Sequence, residues 1–437
     1  MKKWSLVGIL GISLFALCLG SIVAFVPVVN QVFSGNLQWN LFSIRNISAD
    51  TVEELRAPVD GPAELKIDTP FGKVYVEAEE GSSEILISAH KYAWGSNQQA
   101  AEDLLTKIDV ILEQDGNSVN VYVDQPVQVD IFHIGPAGIS VDFTVSVPVE
   151  CDVEASSASG DIRLSGIRGA ASVRSSFGDV TAEDVDGKTT AKTSSGDVTV
   201  KRIRAVKENI EASSSFGDVE ILDSEGDSLT AKTSSGNVTV EDSVFTARAD
   251  LSSNFGDVEA TDMKASAVEA RTNSGKVVLR GLEVEDSLTA HSDFGDVEVL
   301  ESSAERYDLD TNSGKVTAED TQGKVKARSG FGDIEIRGTN VTLDLSTSSG
   351  SIDFSGSLGD GTSTLHTNFG DIRVRLPKDA QFRLDLSTNF GDVECGFSVQ
   401  TTKSSSTHLV GTVGDGGPML DASTNSGDVN VRPQASE

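Results

Sequence analysis

The stretch Lys192–Val200, Lys-Thr-Ser-Ser-Gly-Asp-Val-Thr-Val, is one copy of a motif that recurs through most of the chain and decides its fold. Fourteen glycines occupy the place of Gly196, and successive ones are 18 to 21 residues apart until a last gap of 36. They are Gly160, Gly178, Gly196, Gly217, Gly236, Gly256, Gly275, Gly295, Gly314, Gly332, Gly350, Gly370, Gly391 and Gly427, and an earlier copy lies at Gly72. A fixed period of roughly 19 residues is typical of a solenoid, in which each repeat adds one coil to a stack.

Around each glycine, taken as position zero, apolar and polar residues alternate. Positions −5, +2 and +4 are apolar in all fourteen copies, and position −4 is polar or charged in all of them. Such period-two alternation is typical of strands with one buried face. We therefore expect an all-β fold, a parallel β-solenoid of about 14 coils over residues 151–437 and on the order of 60 Å long. The irregular stretch at residues 396–419, before the last copy, predicts a C-terminal cap.

Position −3 is Ser or Thr in all fourteen copies, from Ser157 to Thr424. It has the parity of the apolar −5 site, so we expect an inward hydroxyl that bonds to a neighbouring hydroxyl or to the backbone of the bend. A nucleophilic serine would need a nearby base, and no histidine recurs at a matching position. The pattern therefore indicates a structural ladder rather than catalysis.

Position −1 alternates between Ser and Phe along the chain. Ser159, Ser195, Ser235, Ser274, Ser313 and Ser349 interleave with Phe177, Phe216, Phe255, Phe294, Phe331 and Phe369, and Phe390 then breaks the alternation. A ring on every coil would crowd coils that lie roughly 4.8 Å apart, whereas a ring over a Ser gap fills the space. We interpret this row as core packing in a unit of two coils, and not as an aromatic binding platform.

Position +1 is Asp in every coil that carries Phe, while Asn237, Lys276, Lys315 and Ser351 appear among the Ser coils. Asp commonly accepts backbone N–H groups in turns, and this is the interpretation we favour. Near the start of the series four aspartates are consecutive, Asp161, Asp179, Asp197 and Asp218. Because Ca²⁺ takes several oxygen ligands, a calcium row there is the alternative. The glycine-rich calcium nonapeptide is absent from the sequence.

The N-terminal residues 1–30 are predicted to anchor the chain in a membrane. Lys2 and Lys3 precede a nearly uninterrupted apolar run, Leu6–Val29. As a helix this run would be roughly 36 Å long, enough to cross a bilayer core of roughly 30 Å. The two lysines place the N-terminus in the cytoplasm and the bulk of the chain outside. A signal peptide is the alternative interpretation.

Two regions separate this anchor from the repeats. Residues 31–62 lack sustained periodicity and contain Gly and Pro, which predicts a stalk or linker. Residues 63–150 predict a β-rich module with one helix, because apolar residues take helical spacing over Asn97–Glu113 and alternate elsewhere. A module of this kind at the start of a stack is typical of a cap that covers the open strand edges.

Composition limits the partners of this protein. Its 437 residues carry a formal charge of −32, which disfavours nucleic acid and anionic lipid headgroups as partners. The three cysteines, Cys18, Cys151 and Cys395, have neither the number nor the spacing of a disulfide framework or a metal site. We interpret Cys395 as a small core residue, since it takes an inward-facing repeat position.

The run Phe143–Pro148, followed by Ala158-Ser159-Gly160-Asp161-Ile162 and the serial Ser-Gly-Asp-Val motifs, resembles a bacterial domain-of-unknown-function family that is labelled putative adhesin. The resemblance covers about residues 63–437. It implies a β-strand-repeat protein of the cell envelope, often membrane-anchored, and brings no catalytic residues. Some relatives look associated with envelope-stress sensing, which is only an analogy for this chain.

Three functions follow as hypotheses. The first is a non-enzymatic, adhesin-like scaffold that presents a rigid acidic solenoid outside the membrane to an unknown envelope protein or glycan. The second is an envelope-stress sensor that binds a regulatory partner. The third, a polysaccharide-active enzyme, needs clustered carboxylates with a basic or metal partner, and the sequence shows no such set. No catalytic, cofactor-binding or metal-binding residue is assigned.

Overall fold

The computed structural model describes residues 47–124 and 138–435, and these residues form an all-β fold. Their 36 strands join in one sheet that winds into a β-solenoid, and the single helix among them has eight residues. The predicted membrane segment at residues 6–29 lies outside the described residues. Within the part of the chain that is described, no helix is long and apolar enough to cross a membrane.

The first module consists of strands and one helix. Its elements are β1 (Ile47–Pro58), β2 (Ala63–Thr69), β3 (Val74–Glu79), β4 (Glu84–Gly95), α1 (Gln98–Leu105), β5 (Asp109–Asp115), β6 (Ser118–Asp124) and β7 (Gly138–Pro148). Strands β2 and β3 flank Gly72 and form the first coil, whose outer edge pairs in parallel with β6 and β7. These two strands pair antiparallel with β5 and β4 in turn, so the edge of the first coil is covered.

Two predictions for the N-terminal region are wrong in their boundaries. The linker predicted over residues 31–62 does not extend to residue 62, because Ile47–Pro58 pairs along its whole length with β4. The helix predicted over Asn97–Glu113 ends at Leu105, and Asp109–Asp115 pairs with β6 instead. Val110 and Leu112 pack against the core at strand spacing, so tertiary pairing overrides the helical pattern of this stretch.

The repeats form the body of the solenoid. Their strands are β8 (Cys151–Ser159), β9 (Ile162–Ser165), β10 (Ala171–Phe177), β11 (Val180–Glu183), β12 (Thr189–Ser195), β13 (Val198–Lys201), β14 (Arg204–Phe216), β15 (Val219–Leu222), β16 (Glu225–Ser235), β17 (Val238–Glu241), β18 (Val244–Phe245), β19 (Arg248–Ser253), β20 (Val258–Thr261), β21 (Lys264–Thr272), β22 (Val277–Arg280), β23 (Glu283–Ser292), β24 (Val297–Leu300), β25 (Arg306–Thr311), β26 (Val316–Ser329), β27 (Ile334–Thr347), β28 (Ile352–Leu358), β29 (Thr362–Phe369) and β30 (Ile372–Leu376).

Equivalent repeat positions stack on one another in parallel register. Val173, at position −5, pairs with the same position in both neighbouring coils, Ala155 and Ala191. The −5 residues are buried throughout, and the +2 and +4 residues are buried in every coil except that of Gly391, where they are partly buried. The predicted alternation is therefore confirmed, and its apolar side forms one continuous core.

The solenoid has about 11 turns, fewer than the roughly 14 coils predicted. The unbroken succession runs from the corner at Gly160 to the corner at Gly370. The last two copies, at Gly391 and Gly427, do not continue it in sequence order.

The C-terminal end contains β31 (Phe382–Phe390), β32 (Val393–Cys395), β33 (Val399–Ser404), β34 (His408–Val413), β35 (Met419–Ser426) and β36 (Val429–Pro433). Strand β35 pairs in parallel with β29 on one side and with β31 on the other. The final copy, at Gly427, is thus inserted between the Gly370 and Gly391 coils. Strand β34 then pairs antiparallel with β31 and covers its outer edge, and β33 pairs with β34.

Candidate interaction surface

The glycine corner is built by close stacking of backbone on backbone. Gly217 has φ +152°, and a Cβ atom added to it would lie 2.0 Å from the carbonyl oxygen of Gly196. Atoms cannot approach so closely, so the corner admits only glycine. The same contact recurs from coil to coil at the other motif glycines.

The hydroxyl at position −3 bonds to this corner. In all fourteen copies of the motif it donates to the carbonyl oxygen of the motif glycine in the adjacent copy of the stack, at 2.8–3.0 Å. All fourteen side chains are buried. The inward ladder predicted from the sequence is confirmed, with the backbone of the neighbouring bend as the acceptor. These hydroxyls therefore have a structural role.

The side chain at position +1 completes the corner on its outer side. Asp218 Oδ1 accepts the backbone N–H of Asn237 at 2.7 Å, and Asp257 Oδ1 accepts that of Lys276 at 2.7 Å. At the bend, the carbonyl of the motif glycine and the N–H of the +1 residue in the next coil do not bond to each other. Instead, the −3 hydroxyl donates to this carbonyl, and the +1 carboxylate accepts this N–H. The turn interpretation of the aspartates is confirmed, with the N–H supplied by the next coil.

The phenylalanines at position −1 are not in the core, and the prediction of core packing is wrong. Seven of them have 59–73% of their surface exposed, namely Phe177, Phe216, Phe255, Phe294, Phe331, Phe369 and Phe390. The −5 and −3 residues of the same strands are buried. The parity that holds at −3 therefore fails two residues later, at the position directly before the glycine corner. We call these seven side chains the Phe row.

The alternation of Phe and Ser is strict in space, although the sequence breaks it at Phe390. Because β35 lies between β29 and β31, Ser426 pairs with Phe369 on one side and with Phe390 on the other. At the opposite end Phe71 takes the same place in the first coil, with 47% of its surface exposed. An exposed ring therefore stands on every second coil, with a Ser between successive rings.

The charges beside the Phe row change along its length. Towards the N-terminal end, consecutive coils carry Asp161, Asp179, Asp197 and Asp218, whereas in the middle Lys276 and Lys315 alternate with aspartates. Lys276 Nζ lies 4.0 Å from Asp296, and Lys315 Nζ lies 2.7 Å from Glu335. The centre of the row is thus more nearly neutral than its start.

Asp161 has a cationic partner at the start of this acidic run. Lys73 Nζ donates to its carboxylate at 2.8 Å, and this hydrogen bond holds the pKa of Asp161 below its usual range and raises the pKa of Lys73. Among the described residues no group of three or more His, Cys, Asp or Glu side chains is arranged to hold a metal ion. The four aspartates predicted as the alternative calcium row form a line and not a cage.

The two described cysteines are free. Cys151 is buried, and this burial raises the pKa of its thiol to about 12. Cys395 is partly buried against the core, and burial also raises the pKa of its thiol. Both thiols therefore stay protonated at neutral pH and act as small apolar groups.

A family model matches residues 138–226, 187–318 and 286–432, which together make up more than half of the chain. The chain belongs to the Toastrack DUF4097 family. The matched region begins in β7 and ends in β36, so it includes the whole repeat series and the Phe row. The family is a domain of unknown function, so belonging to it assigns no role to the Phe row.

Eight chains of solved structures match this protein. A putative cell adhesion protein from Clostridium sporogenes is 9% identical, covering 88% of this chain and 100% of its own, with a TM-score of 0.13. A putative adhesin from Bacteroides fragilis is 12% identical, covering 88% and 97%, with a TM-score of 0.23. A putative lipid binding protein from Parabacteroides distasonis is 9% identical, covering 74% and 93%, with a TM-score of 0.20. Comparison with curated proteins finds no match.

Proposed function

We propose that this protein is a non-enzymatic, adhesin-like scaffold of the cell envelope that makes its contacts through the Phe row. The supporting observation is the exposure of seven phenylalanines in one line, on a framework that buries its other repeated apolar positions. Exposed apolar patches larger than a few hundred Å² are uncommon on monomeric soluble proteins and mark interaction sites. The apolar run at residues 6–29 supports an anchored chain whose solenoid lies outside the cytoplasm.

A polysaccharide-active enzyme would need carboxylates that are free to act, but aspartates of the consecutive run at position +1 have structural partners. Asp179 Oδ1 accepts the backbone N–H of Asp197, and Asp197 Oδ1 accepts that of Asp218. These hydrogen bonds give both carboxylates a structural role that requires no catalysis, and so we do not propose an enzyme.

Protease treatment of intact cells tests the location. We expect the region at residues 47–435 to be cleaved from outside, while a cytosolic control protein stays intact. Protection of this region in intact cells, with cleavage after lysis, would refute the proposal. A pull-down from detergent-solubilised membranes then separates the two envelope roles, because a single stoichiometric signalling partner would favour the sensor.

A further inference from the structure

We infer that the partner of the Phe row is a second copy of this chain, bound antiparallel, with the rings of each copy seated in the Ser gaps of the other. This inference rests on the proposed function only for its setting at the envelope. The association itself depends on the geometry and charge of the corner.

The spacing of the row fits insertion of a ring between two others. Rings on alternate coils are separated by roughly 9.6 Å, twice the distance between stacked strands. A ring inserted midway would lie roughly 4.8 Å from each neighbour, within the about 4.5–7 Å that aromatic pairs prefer between centroids. The intervening position is always Ser, for example Ser274 between Phe255 and Phe294, so the gap is open along the described row. A second copy has the same period and the same gaps.

The direction of the second copy follows from the two sides of the corner. A twofold axis across the stack, placed between two coils, sets every Phe of one copy opposite a Ser of the other and brings the two +1 rows together. A twofold axis along the stack would instead set each Phe row against the other copy's +1 row, which is rich in aspartate. Burying apolar rings against carboxylates costs free energy, so antiparallel pairing is preferred.

Two lysines favour registers centred near the middle of the row, and more than one such register places both of them opposite aspartates. With the axis between the Gly275 and Gly295 coils, Lys276 faces Asp296 of the second copy, and Lys315 faces its Asp257. Symmetry repeats both pairs, which gives four attractive contacts near the axis, while aspartate faces aspartate in the three outermost coil pairs. A register centred on the N-terminal coils would face aspartate with aspartate, which is repulsive.

The exposed area of the row is comparable to the area that a standard protein interface buries on each partner. A phenylalanine side chain carries roughly 200 Å², and the seven of the row are about two-thirds exposed. The row therefore offers roughly 900 Å² in each copy, compared with about 800 Å² per partner in a standard protein interface. A bilayer surface is a weaker candidate, because an aspartate stands two residues from every ring of the row and a bilayer has no lysines placed to face these aspartates.

The consequence is a bridge between two anchoring points. The described chain enters the solenoid at the end that carries β1 and the Gly72 coil. In an antiparallel pair these entry ends lie far apart, at opposite ends of the assembly. Two copies anchored in facing membranes would join in this way, which is homophilic adhesion.

The test is the mass of the full chain in detergent, measured by sedimentation over a range of concentrations. We expect the natural protein to form a dimer and the variant Phe255→Ser/Phe294→Ser/Phe331→Ser to be monomeric with an unchanged melting curve. The matched control, Val52→Ser/Val206→Ser/Val244→Ser, removes three exposed apolar side chains elsewhere and should remain dimeric. Lys276→Glu/Lys315→Glu should weaken the dimer by about tenfold.

A monomeric natural protein at tens of micromolar, or a dimer that survives the triple Phe variant, would overturn the inference. Association through residues 6–29 would give the second result. Binding to phosphatidylcholine vesicles that is lost in the triple variant would identify a membrane as the partner instead. Protease shaving of cells is independent of all these outcomes, so the location and the dimer can fail separately.

Discussion

Two rows of side chains leave the same corner of every repeat, two residues apart, and they have opposite environments. The −3 hydroxyls are buried and bonded to the corner, whereas the −1 rings are largely exposed. Each row is as regular in sequence as the other. A regular repeat in the sequence therefore does not show whether a residue is buried and stabilises the stack or is exposed on its surface.

The largest effect is expected from the corner that separates the two rows. Gly217→Ala places a methyl group against the carbonyl oxygen of Gly196, and we expect it to lower the free energy of unfolding by about 3 kcal/mol or more. Gly81→Ala is the matched control, since Gly81 also has a positive φ but a Cβ atom added to it would meet no other atom within 4 Å. Chemical denaturation followed by circular dichroism measures both, and equal losses would contradict the corner contact.

The inward row should contribute less per residue. Thr311 donates to the carbonyl of Gly295 at 2.9 Å and accepts the N–H of Gly314 at 3.0 Å. Thr311→Val keeps the shape but leaves both groups unpaired, at a cost of about 1–3 kcal/mol. The control Thr317→Val, at an outward and half-buried position, should change stability by less than about 0.5 kcal/mol. If both substitutions have the same effect in denaturant titration, the ladder does not stabilise the stack.

The outer acidic row should show a dependence on pH that the hydroxyl row lacks. The folded-state pKa of Asp161 is lowered by Lys73, so its stabilisation is present above the unfolded pKa and is lost as pH falls through the folded value. Asp161→Asn should therefore destabilise the protein by less than about 1 kcal/mol at pH 7, because the pair is exposed. Thermal melts at pH 7 and below pH 3 measure this, and a difference that persists at low pH would contradict the ion pair.

The smallest effect on stability is expected from the Phe row itself. Phe294→Ala should change the free energy of unfolding by less than about 0.5 kcal/mol in dilute solution, where the monomer prevails. Phe354→Ala, at a buried +4 position, should cost about 3–5 kcal/mol. Comparable losses for the two variants would place the row in the core after all.

Much of the fold can be read from the sequence, because each repeat obeys period-two alternation on both sides of its glycine. Parity alone places Val198 and Thr193 inward, and both are buried. Parity fails at Phe216, the last residue of β14 before the glycine corner, which is 65% exposed. A usable signal is the Ser that shares this position in alternate coils, since a site that accepts a polar residue so often is more typical of a surface.

The C-terminal arrangement could not be predicted from periodicity. The gap of 36 residues between Gly391 and Gly427 suggests an insertion before a last coil, and sequence order then places Gly427 outermost. Which coil lies outermost depends on long-range pairing of β35 with both β29 and β31. The unbroken alternation of Phe and Ser is a hint, since it holds only if Ser426 precedes Phe390 in space.

The position of β35 between β29 and β31 constrains the order in which the strands can fold. During synthesis the coils from Gly160 to Gly370 can add one after another, each on the template left by the coil before it. Strand β31 is synthesised next, and it has no parallel neighbour until β35 has been synthesised and has inserted between β29 and β31. Strands β35 and β36 therefore complete the stack, and it cannot close before residues 419–433 have been synthesised.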